Sequence, residues 1–338
     1  MDSPLRPMSA SQVLDRTFYL YRRNFWLFAG IAMIVPALTT LASLAQVWML
    51  GLPTTPDPTK VDPAMMQHFF ADIVTRVAVG MSLGMTVYAI GYAIATGATV
   101  YAVSMLHLGK ATTIQDAYAR IKPIFGRILA LVVRIFCIAS WPLALSYALM
   151  FAVFLGIPNM VKGSPGAGAI SLVLIGSLLA FAGSVGGLIW FFYAYCRYAL
   201  AVPACAIENL PVKFSLIRSK FLTKGNVGRV LGVYLLTLLI AIAIKSVLEV
   251  PAFIGSGIFT LRAGAHPSVA WLAWLYVAQF VGTMLAGPIA TIAMALVYYD
   301  ERVRKEAFDL HLMMEAISQT APAPLQTEPA SGTIPTVG

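Results

Sequence analysis

Six long apolar stretches constrain the fold of this chain more than any other feature of its sequence. Each is long enough to cross the hydrocarbon core of a bilayer, which takes about 20 residues of α-helix. Because backbone polar groups in lipid must be satisfied within the segment, each stretch should be helical. The predicted spans cover residues 26–48, 77–103, 128–157, 169–195, 230–254 and 269–299. The predicted fold class is therefore all-α, a polytopic bundle of about six transmembrane helices.

The composition also favours a membrane domain over a soluble one. Hydrophobic residues make up 59% of the 338 residues and charged residues only 11%, whereas a soluble domain carries about 25% charged residues. A chain so poor in charge cannot cover a water-facing surface, so its apolar excess must face lipid. We predict one transmembrane domain over residues 1–318 and a disordered cytoplasmic tail, rich in Pro and Thr, over residues 319–338.

Lys and Arg residues are distributed unevenly between the two sides of the predicted membrane. Seventeen lie in the N-terminal segment, in the second and fourth connections and after the last span. The opposite side has only Lys60, Arg76, Lys162 and Arg262. The positive-inside rule places the side rich in Lys and Arg in the cytoplasm. We therefore predict a multi-pass protein of the cell membrane with both termini cytoplasmic.

A similar amphipathic segment precedes each odd-numbered span. Before the first and third spans, apolar residues recur at the same helical spacing with a shift of 100 residues, and a looser echo precedes the fifth at a shift of 202. The first two sets are Leu14, Phe18, Tyr21, Phe25 and Ile114, Tyr118, Ile121, Phe125; in the third, Leu216, Leu222, Lys224 and Asn226 answer Leu14, Leu20, Arg22 and Asn24. These sets predict interfacial helices and are consistent with a threefold repeat of helix plus hairpin. Basic amphipathic connections also occur in polytopic proteins that have no repeat.

The basic connections supply the candidate binding residues. The net charge is +9, but its Lys and Arg residues lie at the ends of apolar segments, so anionic membrane lipids are better partners than nucleic acid. A membrane or cytoplasmic protein partner is a further possibility. The candidates are Arg22, Arg23, Lys122, Arg127, Arg197, Lys224 and Arg229.

A run of mixed charges follows the sixth span. Asp300, Glu301, Arg302 and Arg304 stand at helical spacing and predict a cytoplasmic helix that pairs with Arg197 or with the basic connections. A lipid-phosphate site at this place is the alternative. Pro203, after Arg197, predicts a kink where the fourth span leaves the membrane.

Three charged residues lie inside the predicted spans, where ionisable groups often mark function. Arg134 lies about two turns into the third span and could extend to the head groups, form a structural ion pair or contact a substrate. Lys245 and Glu249 stand four residues apart in the fifth span and should meet on one helix face. Mutual neutralisation of this pair is a simpler interpretation than a proton relay.

The sequence contains no motif that predicts an enzyme, a metal site or a cofactor. It has no Walker A loop, GxSxG or HExxH motif, and its three Cys and four His residues have no metal-binding spacing. Small residues spaced four apart, such as Gly183 with Gly187 and Gly91 with Ala95, predict close contacts between helices. We therefore expect a non-catalytic protein without a cofactor.

Three segments resemble the membrane domain found beside some bacterial glycerophosphoryl diester phosphodiesterases. They are VLDRTFYLYRRNFWLFAGIA, RYALAVPACAIENLPVKFSLIRSKFLTKGNVGRVLG and YYDERVRKEAFDLHL, and the resemblance extends over residues 10–315. It implies a bacterial inner-membrane protein of about six spans. The phosphodiesterase itself is a soluble barrel whose His and paired carboxylates bind a divalent metal, and nothing in this sequence could form it. The resemblance therefore implies no phosphodiesterase activity.

Two functions fit these observations. The first is a non-catalytic protein that organises or anchors lipid-related partners or anionic lipids at the cytoplasmic face. The alternative is a transporter or channel for a small solute or lipid, with a polar path near Arg134 and Pro-bearing helices around it. An intramembrane enzyme would need a convergent His, Asp and Glu cluster, which the sequence does not provide.

Overall fold

The structure is a bundle of long helices. A computed structural model describes residues 8–50, 63–161, 167–263, 269–306 and 314, and every regular element among them is helical. The predicted tail, residues 319–338, lies outside the described residues. The elements are α1 (Ala10–Arg23), α2 (Phe25–Ala32), α3 (Ile34–Leu50), α4 (Pro63–His107), α5 (Ile114–Ile121), a 3-10 turn (Lys122–Ile124), α6 (Phe125–Val161), α7 (Ala167–Tyr198), α8 (Ala201–Glu208), α9 (Val212–Thr223), α10 (Val227–Ala263) and α11 (Val269–Glu306).

Six helical segments are long and apolar enough to cross a membrane, as predicted. They correspond to α2 with α3, α4, α6, α7, α10 and α11, and all six are longer than the predicted spans. Large apolar side chains are exposed along their outer surfaces, for example Leu172, Leu178 and Ile189 on α7. Such a surface suits lipid and not water, so the chain is a multi-pass membrane protein.

Two spanning segments are interrupted near a proline. Helix α2 ends at Ala32, and Pro36 lies in the first turn of α3, where the missing N–H leaves the Ala32 carbonyl without its usual partner. Helix α7 ends at Tyr198, and the short helix α8 carries Pro203 in its first turn. The predicted kink at Pro203 is therefore a break in the helix.

The spans form three helical hairpins, each preceded by an interfacial helix. The hairpins are α2–α3 with α4, α6 with α7, and α10 with α11. Helices α1, α5 and α9 precede them in that order, as the amphipathic stripes predicted. Each interfacial helix packs against the hairpin before its own: α5 on α4, α9 on α7 and α8, and α1 on α11. This cyclic order closes the chain into a ring of three units.

Burial follows the same threefold pattern. The buried positions of the first interfacial helix recur 104 residues later in the second unit and 202 residues later in the third. The buried positions of the first span recur 100 residues later in the second unit and 202 residues later in the third. The buried interfacial sets are Val13, Thr17, Leu20; Ala117, Ile121, Ile124; and Ser215, Ser219, Leu222. The buried span sets are Phe28, Ile31; Ile128, Leu131; and Val230, Val233. The structure thus supports the repeat that the sequence suggested.

The second unit has a shorter elbow than the other two. Ile128 stands four positions after Ile124 in the second unit, whereas Phe28 stands eight positions after Leu20 in the first. Helix α5 passes through a 3-10 turn straight into α6, while Asn24 interrupts the helix in the first unit. The shift of 100 residues predicted from the stripes therefore aligns the span of the second unit with that of the first. The interfacial helices of the two units align only at a shift of 104 residues, which is about one helical turn more.

Small residues bring neighbouring helices together where the sequence predicted. A Cβ added at Gly187 would lie 3.1 Å from the backbone nitrogen of Leu143 on α6. A Cβ added at Gly91 would lie 3.3 Å from the Cα of Val35 on α3. These glycines permit close backbone approach within the hairpins.

Replacing Gly187 with Leu should destabilise the α6–α7 hairpin by about 1–3 kcal/mol, because the backbone of α6 cannot move away from an added side chain without loss of packing. The matched control is Gly186→Leu, since a Cβ at Gly186 meets nothing within 4 Å. Unfolding of both variants in the same detergent measures the difference. Equal stabilities would contradict the close contact at Gly187.

Candidate functional site

The Lys and Arg residues gather at one end of the bundle, which we call the basic face. It comprises α1, α5, α8 and α9 with the adjoining ends of α4, α7 and α11. Ser9 and Thr113 cap α1 and α5, and each forms a reciprocal capping box with the residue three positions on. These caps fix where the interfacial helices begin and hence which side chains they turn toward the hairpins.

Two buried carboxylates at the end of α11 form the first ion-pair cluster. Asp300 and Glu301 are 2% and 0% exposed. The Arg229 guanidinium lies 2.6 Å from Asp300 and donates to Glu301 at 2.9 Å. Asn226 donates to the other oxygen of Glu301 at 2.9 Å, and Arg304 donates to Asp300 at 2.8 Å. Such buried carboxylates are tolerated because several donors satisfy them.

The backbone of Met8 belongs to the same cluster. Its N–H donates to Asp300 at 2.5 Å. Its carbonyl accepts from Arg229 at 2.7 Å and from Arg304 at 2.8 Å. The start of α1 is thereby fixed to the start of α10 and to the end of α11. This contact closes the ring of three units.

Glu208, at the end of α8, is the centre of a second cluster. It accepts from Arg218 of α9 at 3.1 Å, lies 3.5 Å from Arg302, and also accepts from the Tyr298 hydroxyl. Arg218 also pairs with Glu306, which lies 3.3 Å from Arg302. Burial alone would lower the pKa of Arg218, but its hydrogen bonds with Glu306 and Glu208 raise that pKa above its ordinary value. This cluster ties α8 and α9 to α11.

Each cluster is close to neutral, because each contains two arginines and two carboxylates. The predicted pairing of the charged end of α11 with the basic connections is therefore observed, through Arg229 and Arg218. Arg197 is not part of either cluster: its guanidinium donates to the Tyr193 hydroxyl at 2.8 Å. The charged run is helical, as predicted, and it forms the end of α11, which continues unbroken to Glu306.

The remaining candidates lie at the surface of the basic face. Arg22, Lys122 and Lys224 are exposed and stand in the three elbows, one in each unit. Arg23 donates to the Tyr19 hydroxyl at 2.8 Å, and Arg127 donates to the Asn209 carbonyl at 3.2 Å. Arg229 differs from these residues because its side chain is largely buried in the first ion-pair cluster, so it is not available to a lipid.

Of the charged residues predicted within the spans, Arg134 faces outward, whereas Lys245 and Glu249 are half-buried beside α11. Arg134 is exposed on the same side of α6 as the exposed Cys137 and Trp141, which is the side that lipid covers. Lys245 and Glu249 approach to 3.5 Å, as their spacing predicted. One Glu249 oxygen is buried without a hydrogen-bond partner, near Gly282 of α11. These positions do not join into one polar path.

An arginine occupies the seventh position of each interfacial helix, a pattern that our sequence analysis missed. The residues are Arg16, Arg120 and Arg218, which correspond at the shifts of 104 and 202 found from burial. The predicted shift of 100 hid this correspondence. The capping motifs that begin at Ser9 and Thr113 could have revealed it. Glu208 and the Met8 backbone were also missed, because nothing local in the sequence links either of them to its distant partners.

Within the described ranges, no group of three or more His, Cys, Asp or Glu side chains is placed to hold a metal ion. Comparison with family models, with curated proteins and with solved structures finds no match to this chain.

The Arg229→Met variant should lose about 3–5 kcal/mol of stability, because it leaves Asp300 and Glu301 buried without their shared guanidinium. The control, Arg23→Met, removes the same charge from an exposed hydrogen bond to Tyr19 and should change stability by less than about 1 kcal/mol. Thermal unfolding of both variants in one detergent gives the comparison. A control-like result for Arg229→Met would mean that the cluster does not hold the fold together.

Proposed function

We propose that the protein binds anionic lipids at its basic face and organises lipid-related partners there without catalysing a reaction. The observation that carries this proposal is the threefold placement of an exposed cation, Arg22, Lys122 or Lys224, in the elbow after each interfacial helix. The four arginines of the two ion-pair clusters are already neutralised by carboxylates. No carboxylate of the described residues forms an ion pair with the elbow cations, so they are the ones free to meet lipid head groups.

Helix α9 gives further support. Its outer side exposes Phe214, Ile217 and Phe221, and Lys213 and Lys220 lie beside this stripe. A helix that combines exposed apolar side chains with lysines suits the boundary between acyl chains and anionic head groups. In water this stripe would be unfavourable, so we place α9 at the membrane surface.

The basic face belongs to the cytoplasmic side in this proposal, and the membrane is the bacterial inner membrane. The excess of Lys and Arg on this side supports the orientation. The resemblance to the membrane domain of glycerophosphoryl diester phosphodiesterases supports the choice of membrane and the link to lipid-related partners. Transport finds less support, because Arg134 lies on the lipid-facing side of α6.

Replacing Arg22, Lys122 and Lys224 together with Gln should reduce the bound anionic lipid by at least about half, because no carboxylate in the described part of the chain pairs with these cations. Native mass spectrometry of protein released from nanodiscs of mixed phosphatidylglycerol and phosphatidylcholine counts the bound lipids. The control variant removes the same amount of charge from the connections predicted on the opposite side of the membrane, and it should keep the wild-type lipid count. It replaces Lys60, Lys162 and Arg262 with Gln. If both triple variants retain the wild-type lipid count, anionic-lipid binding by the elbows is disproved.

The proposed orientation makes a separate prediction. In intact cells, a cysteine at Lys224 should be protected from a membrane-impermeant maleimide, while a cysteine at Lys60 should react. Both are introduced into a Cys137→Ser background, because Cys137 is the exposed native cysteine and Cys196 and Cys205 are buried. Labelling in the reverse pattern would place the basic face outside the cytoplasm.

A further inference from the structure

The three arginines at the seventh position of the interfacial helices have different surroundings. Arg218 of the third unit is paired with Glu208 and Glu306. No carboxylate lies within ion-pair distance of Arg16 or Arg120 in the described part of the chain. The same position therefore has an internal counter-charge in one unit and lacks one in the other two.

The acid one turn before Arg120 and the acid at the end of α8 are both already engaged. Asp116, one turn earlier on α5, accepts from the backbone and hydroxyl of Thr113 in the capping box. Glu208, at the end of α8, is held by Arg218 and Tyr298. Neither carboxylate is free to neutralise Arg120, whose exposed side chain is therefore available to an anion from outside the described chain.

A cavity of about 350 Å³ opens beside Arg120. Its volume is in the range that accommodates a small ligand. Its wall combines hydroxyl groups and apolar side chains, with one cation and no carboxylate. The lining residues are Tyr101, Ser104 and Met105 of α4, Arg120 of α5, and Ala206 and Ile207 of α8.

Unsatisfied polar atoms lie near the same end of α4. His107, one turn beyond Ser104, is 9% exposed, and its Nδ1 has no hydrogen-bond partner. The Nε of Arg16 is likewise buried without a partner, and Arg16 interacts electrostatically with His107. The described protein therefore leaves one donor of Arg16 and one ring nitrogen of His107 buried without a partner near this end of α4.

We propose that this cavity, formed by α4, α5 and α8, binds the phosphate group of an amphiphile, with Arg120 as its principal ligand. A guanidinium binds phosphate oxygens through two parallel hydrogen bonds, which is the pairing that Glu208 gives Arg218 in the third unit. The Ser104 and Tyr101 hydroxyls face the polar part of the ligand, and Met105 and Ile207 contact its apolar part. This inference rests on the proposed binding of anionic lipids at the basic face, and it adds a discrete site with other residues.

The test uses the purified full-length protein in a non-ionic detergent, with two soluble probes. Dioctanoyl phosphatidylglycerol carries the phosphate on an amphiphile, and inorganic phosphate carries it alone. Isothermal titration should detect the lipid probe with the wild type, and Arg120→Gln should weaken its binding about tenfold or more because a charged hydrogen-bonded pair is lost. Met105→Glu should weaken binding of the lipid probe similarly, because the new carboxylate would pair with Arg120 inside the cavity, as Glu208 pairs with Arg218 in the third unit.

The control is Lys110→Gln, which removes one charge from an exposed residue near the same helix end that does not line the cavity. It should bind both probes like the wild type. Phosphate binding that also depends on Arg120 would identify the phosphate group alone as sufficient, whereas binding of the lipid alone would identify a head-group site. The proposal is overturned if the wild type binds neither probe, or if Arg120→Gln or Met105→Glu binds them as the wild type does.

The outcome is separable from that of the proposed function. Arg120→Gln leaves Arg22, Lys122 and Lys224 intact, so it should keep the anionic-lipid count measured in nanodiscs within about one lipid of the wild type. The elbow triple variant, in turn, should retain the Arg120-dependent binding of the soluble probe. If Arg120→Gln leaves soluble-probe binding unchanged, the cavity proposal fails; if the elbow triple variant leaves the lipid count unchanged, the proposed function fails.

Discussion

The burial of Asp300 and Glu301 is the constraint on which the arrangement of the bundle depends. Two adjacent carboxylates inside protein are tolerated only if donors surround them, because removal from water costs several kcal/mol for each charge. Arg229 and Asn226 at the start of the last hairpin and the Met8 backbone at the start of the chain supply those donors. Helix α11 therefore holds the first and last units together, and it also contacts α4, α8 and α9.

The lipid environment determines where polar interactions lie along the helices. Within the hydrocarbon core, helices satisfy their own hydrogen bonds, so polar side chains contribute little there and the hairpins pack through small residues such as Gly91 and Gly187. At the basic face the helices end, and their unpaired carbonyls need donors. Lys305 donates to the carbonyls of Phe221 and Lys224 at the end of α9, and Ser219 donates to the Arg197 carbonyl near the end of α7. Polar chemistry is thus concentrated at this end of the protein because the lipid-embedded part has little need of it.

The parts of this structure that could be predicted from the sequence are those that repeat along the chain. The spans follow from apolar length, and the interfacial helices follow from periodic stripes, since both patterns are local. The mixed charges around Asp300 and Glu301 also predicted that this segment forms ion pairs. Its partners could not be identified in the same way, because Met8 is 292 residues from Asp300 and contributes only backbone atoms. The arginines at 16, 120 and 218 escaped notice because the second elbow is one turn shorter than the others.

The difference between the three units bears most directly on function. An arginine occupies the seventh position of each interfacial helix, but its surroundings differ from unit to unit. The third unit neutralises its arginine with Glu208 and Glu306 and is rigidly tied to α11. The second unit has neither acid available, and a cavity lies where a counter-ion would fit. A repeat whose copies share a cation but not its carboxylate would, under the proposed phosphate site, separate a structural role in the third unit from a binding role in the second.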